Sequence, residues 1–146
     1  MDRIQIGRWL ARRRKQLKLT QANLGAKLSY TPQAISLIEM GKSSMLISTL
    51  YVLAEELRCS PEDILNCAET VSEAYRVYKF DPARYAHNLK YARKKLHLRQ
   101  VELADMLHVS SRTLRTYEKD KATPSVEYVC ELARIAGITL QDLEKK

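Results

Sequence analysis

Shifted by 79 residues, the chain lies on itself without a gap. Leu10 meets Leu89, Arg14-Lys15 meets Arg93-Lys94, and Leu17 and Leu19 meet Leu96 and Leu98. Gln21 meets Gln100, Leu24 and Leu28 meet Leu103 and Leu107, and Glu39 and Lys42 meet Glu118 and Lys121. Leu53-Ala54 meets Leu132-Ala133, and Asp63 meets Asp142. Over 6–65 against 85–144 this makes 13 identities in 60 pairs. The fraction is small, but the matches fall at helix-core spacing and at a few recurring polar spots. Conservative pairs such as Ile35/Leu114, Leu50/Val129 and Ile64/Leu143 extend the pattern. A fixed period of this kind is the mark of a duplicated unit. Each copy, about 60 residues long, is close to the smallest size that folds alone.

The unit reads as all-α. Only 4 Gly and 4 Pro occur in 146 residues, too few for a strand-and-turn fold, while 45% hydrophobic residues suffice for packed cores. In the first copy Ile6, Trp9, Leu10, Arg13 and Leu17 recur at 3- and 4-residue steps and predict a first helix. Thr20 is the expected N-cap of a second, Gln21 to Leu28. Thr31-Pro32 predicts a third through Glu39, which Gly41 stops with a left-handed residue. A fourth is expected from Ile47 to Leu57, and Ser60-Pro61-Glu62-Asp63 opens a short fifth. The second copy follows the plan: Asp81-Pro82 opens it, Ser110, Ser125 and Thr139 cap later helices, and Asp120 replaces Gly41. Ile35 and Ile38, or Leu114 and Tyr117, are the expected buried residues of the third helices.

The expected organisation is a first domain over 1–68, a connecting segment over 69–81 and a second domain over 82–146. In the connector Val71, Ala74, Tyr75 and Tyr78 fall at helical spacing, without Gly or Pro. It reads as a helix packed on a domain, on a second chain, or on the first unit's own core.

Net charge is +8, with +4 in residues 1–68, −1 in 69–82 and +5 in 83–146. A basic balance favours a polyanionic partner. The densest runs are Arg12-Arg13-Arg14-Lys15 and Arg93-Lys94-Lys95, part phosphate-facing and part solvated helix face. No apolar stretch reaches the roughly 18 residues of a membrane span, and the N-terminus does not read as a signal peptide. Cys59, Cys67 and Cys130 are odd in number and form no Cys-x-x-Cys pair, so neither a disulfide framework nor a zinc site is expected. His87, His97 and His108 lie apart from them. No catalytic constellation, cofactor loop or metal motif is present, and the expectation is a non-enzyme without cofactor.

Gln21 to Leu28, a three-residue turn and Pro32 to Lys42 resemble the lambda-repressor/Cro (Xre) helix-turn-helix family. Gln100 to Leu107, Ser111 to Glu118 and Lys119-Asp120-Lys121-Ala122-Thr123-Pro124-Ser125 resemble it more closely. The first copy departs at Ser44-Met45-Leu46, which lacks the family's Pro, and at Gly25, where the family has Ala at a tight helix crossing. The resemblance implies two tandem lambda-repressor-like five-helix domains joined by a helical connector. It implies cytoplasmic, sequence-specific recognition of double-stranded DNA by a bacterial or phage transcription regulator, typically a repressor. Gln21 and Gln100 are then phosphate contacts, as are Lys42 and Lys121. Arg14/Glu39 and Arg93/Glu118 are ion pairs tying the first helix to the end of the third.

The third helix enters the major groove, which is about 12 Å wide. The outward residues of the two copies differ. The first shows Pro32, Gln33, Ser36, Leu37 and Met40, preceded by Thr31. Gln33 suits adenine, Ser36 a base or phosphate, and Leu37 and Met40 suit thymine methyls or a protein surface. The second shows Ser111, Arg112, Arg115, Thr116 and Lys119. Arg112 and Arg115 suit guanine or phosphate, and Thr113 or Thr116 a methyl, so the second unit ranks as the main base reader. Tandem units fit two half-sites roughly 34 Å apart, one helical turn. The competing reading is an antitoxin-like protein-interaction module, with a homodimer or protein partner held through the connector or Leu37/Met40.

Overall fold

The computed structural model describes residues 1–71 and 80–145. Among these it is all-helical, with ten helices and no strand. The first unit contains α1 (Arg3–Gln16), α2 (Gln21–Leu28), α3 (Pro32–Glu39), α4 (Ile47–Glu56) and α5 (Pro61–Leu65). The second contains α6 (Pro82–Lys95), α7 (Gln100–Met106), α8 (Ser111–Glu118), α9 (Val126–Ala136) and α10 (Leu140–Glu144). The chain divides into compact units at Lys79/Phe80. Residues 80 and 81, read from sequence as connector, join the second unit, where the Phe80 ring lies 5.2 Å from that of Tyr85, tilted by 50°. Of the connector expected to be helical over 69–81, residues 69–71 and 80–81 are not helical, and residues 72–79 lie outside the described ones.

The caps are where the sequence places them. Thr20, Thr31 and Ser60 accept backbone N–H bonds at the starts of α2, α3 and α5. Ser110, Ser125 and Thr139 do so for α8, α9 and α10. Helix α1 starts earlier than its apolar stripe predicts, because the Asp2 carboxylate accepts from Ile4 and Gln5 N–H at 2.9 and 3.2 Å.

The cores repeat at the same offset. Leu10, Leu24, Ile35, Ile47, Leu53 and Ile64 are buried in one unit, and Leu89, Leu103, Leu114, Val126, Leu132 and Leu143 in the other. Each contributes about 1.5–3 kcal/mol of apolar transfer. The left-handed positions repeat too: Lys18/His97, Ser29/His108, Gly41/Asp120 and Arg58/Gly137 all have φ between +53 and +70°. Only Gly41 and Asp120 were legible beforehand. Of the others, Gly137 ends α9 as a glycine, and Lys18, Ser29, Arg58, His97 and His108 end their helices without one. Since Gly137 fills the place that Arg58 fills in the first unit, Arg58→Gly is expected to stabilise that unit by about 0.5–1 kcal/mol in chemical denaturation.

Position 9/88 ties the first helix of each unit to its C-terminal end by different chemistry. Trp9 Nε1 donates to the Ala68 carbonyl at 2.8 Å, while the Asn88 amide donates to the Leu143 and Lys145 carbonyls at 2.7 and 2.8 Å. Burial, reinforced by the Asp63 carboxylate, pushes the Cys59 thiol up to about 12, as suits a packed core thiol. The three cysteines are free.

The first unit brings α1 unusually close to the end of α3. A Cβ on Gly7 would lie 2.3 Å from the Glu39 carbonyl oxygen, and one on Gly41 2.9 Å from Ile4 backbone. Unit two has Ala86 and Asp120 at these places, so its crossing accommodates side-chain atoms. Gly7→Ala is expected to force α1 from α3 and to cost about 1–3 kcal/mol, measured as a lowered denaturation midpoint.

Candidate nucleic-acid interface

Each unit sets out its third helix by the same local devices. Ser29 and His108 take left-handed φ and end α2 and α7. Thr31 Oγ1 then accepts the Ala34 N–H at 3.1 Å, and Ser110 Oγ the Thr113 N–H at 3.0 Å. Ile35 and Ile38 anchor α3 to its core, and Leu114 anchors α8. Tyr117, expected to be buried, is only half-buried. Its ring stands edge-on to Tyr128 with centroids 4.8 Å apart, at the margin of the core.

A charged network fixes the helix against the first helix of its unit. Arg14 Nε and Nη2 donate to the two Glu39 oxygens at 2.6 and 3.1 Å, and Arg14 Nη1 donates to the Leu19 carbonyl at 2.8 Å. Arg93 repeats this on Glu118 at 2.6 and 3.1 Å, and on Leu98 at 2.8 Å. Such bidentate pairs are the strong, geometrically specific kind. The Gln21 side-chain amide donates to Glu39 at 2.9 Å and that of Gln100 to Glu118 at 3.0 Å. The glutamines therefore link α2 and α7 into the network. Each keeps one amide hydrogen and its carbonyl for an outside partner.

The outward stripes are chemically distinct. On α3 and its C-cap Gln33, Leu37 and Met40 are exposed, and Ser36 is half-buried. The stripe carries no charge, and Leu37 and Met40 keep 43% and 46% of their surface open. On α8 and its C-cap Arg112, Arg115 and Lys119 are exposed at steps of three and four residues, on one helix face. None of the three has a side-chain hydrogen bond or ion pair among the described residues. Three cations left unneutralised side by side make a concentrated positive site. Lys42 and Lys121 follow, both exposed, their N–H groups closing the helix ends on the Leu37 and Thr116 carbonyls at 2.9 Å.

The helix-turn-helix family matches the chain twice, over residues 10–64 and 89–143, again 79 residues apart. These matches cover most of the chain. It belongs to the Xre/lambda-repressor-type helix-turn-helix family, in two tandem copies. No curated protein and no solved structure matches it. The family is one of DNA-binding, non-enzymatic domains. Among the described residues no helix is long and apolar enough to cross a membrane, and no group of three or more His, Cys, Asp and Glu could hold a metal ion.

Within the helix-turn-helix frame, the candidate residues separate into two groups. Gln33, Leu37, Arg112, Arg115, Lys42 and Lys121 stand open on or just after the third helices, and Thr31 is exposed at the cap. Ser111, Thr113 and Thr116 are half-buried, and two of their hydroxyls have internal partners. Thr116 donates to the Thr113 carbonyl at 2.6 Å, and Thr113 shares a hydrogen bond with Ser110 at 2.9 Å. Ser110, the counterpart of Thr31 at the 79-residue offset, is likewise exposed at the cap. In the basic runs Arg13 and Arg14 turn inward. Arg13 donates to the Leu57 and Arg58 carbonyls at 3.0 and 3.3 Å, capping the end of α4, and leaves Arg12 and Lys15 exposed.

Proposed function

We propose that the chain is a sequence-specific double-stranded DNA-binding transcriptional regulator of bacterial or phage type, acting in the cytoplasm. The observation that carries this is the open Arg112/Arg115/Lys119 stripe on α8, in the place where the family's recognition helix lies. A protein keeps three neighbouring cations unpaired at a cost in self-repulsion, which a polyanion removes. Arg112 and Arg115 read guanine edges, and Thr31, Ser110, Lys42 and Lys121 take backbone phosphates. The remaining amide hydrogens of Gln21 and Gln100 do the same.

The test is retention of duplex DNA from a random-sequence pool at low salt, followed by enrichment of bound sequences. Absence of retention overturns the proposal, and so does retention without enrichment. Binding is expected to weaken steeply with salt, by a log–log slope of about −0.9 per phosphate neutralised. Lys121→Ala is expected to weaken binding to all sequences alike and to reduce that slope by about 1. Equilibrium titrations at several salt concentrations check this.

The exposed Leu37 and Met40 on α3 favour a second reading, in which the first unit binds a protein. That reading gains if Leu37→Asp abolishes a protein complex while Arg112→Ala with Arg115→Ala leaves DNA binding unchanged.

A further inference from the structure

We infer that the two units read unlike half-sites, so that the operator is asymmetric and the chain binds it in one orientation. This rests on the DNA-binding reading above. The third helices are equivalent in place and unlike in chemistry. Position 33/112 is Gln against Arg, 36/115 Ser against Arg, 37/116 Leu against Thr and 40/119 Met against Lys. On α3 the exposed residues are an amide with no partner among the described residues, then two open apolar side chains. In the major groove the apolar feature on a base edge is the thymine methyl, and the bidentate match for a glutamine amide is adenine N6/N7. The α3 stripe has no cation for the bidentate match to guanine O6/N7, and burying Leu37 or Met40 against polar edges alone would waste their apolar surface. The first unit therefore takes an A·T segment rich in thymine.

On α8 the opposite holds. Thr113 and Thr116 have their hydroxyls engaged on the helix itself, which leaves the long cations to reach outward. Guanidinium groups at 112 and 115 match guanine. The second unit therefore takes a guanine-containing segment and most of the salt dependence. A regulator built from identical subunits sees the same half-site twice; two copies with unlike helix faces in one chain are free of that constraint.

The experiment is sequence selection by the full chain, then titration of the winning duplex with thymines of its A·T segment replaced by deoxyuridine. The expected result is a bipartite site with one guanine-bearing and one thymine-bearing segment. Loss of a buried methyl is expected to weaken wild-type binding about 4-fold per contacted thymine, the equivalent of one CH₂ group. It should leave Leu37→Ala almost unaffected. Arg112→Ala with Arg115→Ala is expected to lose the guanine preference and keep the A·T one. Two like half-sites in inverted repeat would overturn the inference and leave the DNA-binding reading standing. So would a single enriched segment, or indifference of the wild type to deoxyuridine. No retention of DNA at low salt would overturn both.

Discussion

Glu118→Ala is expected to destabilise the second unit by about 3–5 kcal/mol, enough to unfold much of it at room temperature. The carboxylate side chain is 3% exposed and receives three hydrogen bonds, two from Arg93 and one from Gln100. Removing it strands the Arg93 guanidinium, itself only 10% exposed, without its counter-charge. A unit of this size has a total stability of about 3–10 kcal/mol, so the loss is comparable with the whole. Removing both charges, as in Arg93→Met with Glu118→Leu, is expected to cost clearly less than Glu118→Ala alone, because no uncompensated ion remains. Chemical denaturation, followed by amide resonances of α6 to α10, measures both. Equal costs for the single and double replacements would show that a stranded Arg93 carries no extra penalty. In the first unit Arg14 and Glu39 are nearly as buried, at 9% and 8%, and the same argument gives a similar loss for Glu39→Ala.

Arg112→Ala combined with Arg115→Ala is expected to weaken binding to the selected duplex by about 30-fold to 10⁴-fold. Each bidentate arginine–guanine match contributes about 1–3 kcal/mol of discrimination, and about 1.4 kcal/mol is tenfold in affinity. Neither arginine has an internal partner among the described residues, so their removal leaves the fold intact and the loss is one of recognition. Affinity for unrelated duplexes should fall much less, through lost phosphate attraction alone. Fluorescence anisotropy on the selected and a scrambled duplex, at one salt concentration, separates the two. A loss below threefold on the selected duplex would mean that α8 does not read bases.

The contrast between these variants follows from where each residue stands. Glu118 and Arg115 lie three residues apart on one helix, yet one faces α6 and the other faces out. Helical periodicity made that division legible: the apolar positions 35 and 114 define the inner face, and a residue's step from them tells its side. Caps and stops were equally legible at Thr31-Pro32, Ser110 and Gly41, because a cap is a bond to a backbone group two or three residues away. Less legible were Gln21 and Gln100. The family resemblance makes them phosphate contacts, and the structure gives each a carboxylate partner 18 residues distant. Thr113 and Thr116 read as contacts to a thymine methyl, and nothing in the sequence marked the partners that their hydroxyls find within the helix and its cap. Lys18, Ser29 and Arg58 carry no residue-type signal for left-handed backbone, yet they adopt it where their helices end.

The order of residues alone thus determined the duplication, the five helices of each copy, their caps and the unlike outer faces of the third helices. Those properties depend on neighbours within a turn or two, or on comparing one half of the chain with the other. Tertiary structure alone decided that Gln21 and Gln100 pair inward, that Trp9 and Asn88 anchor the same end of their units, and that Gly7 permits a close crossing of α1 and α3. These depend on distances between groups 18 to 59 residues apart, which helix packing sets and which no local pattern encodes.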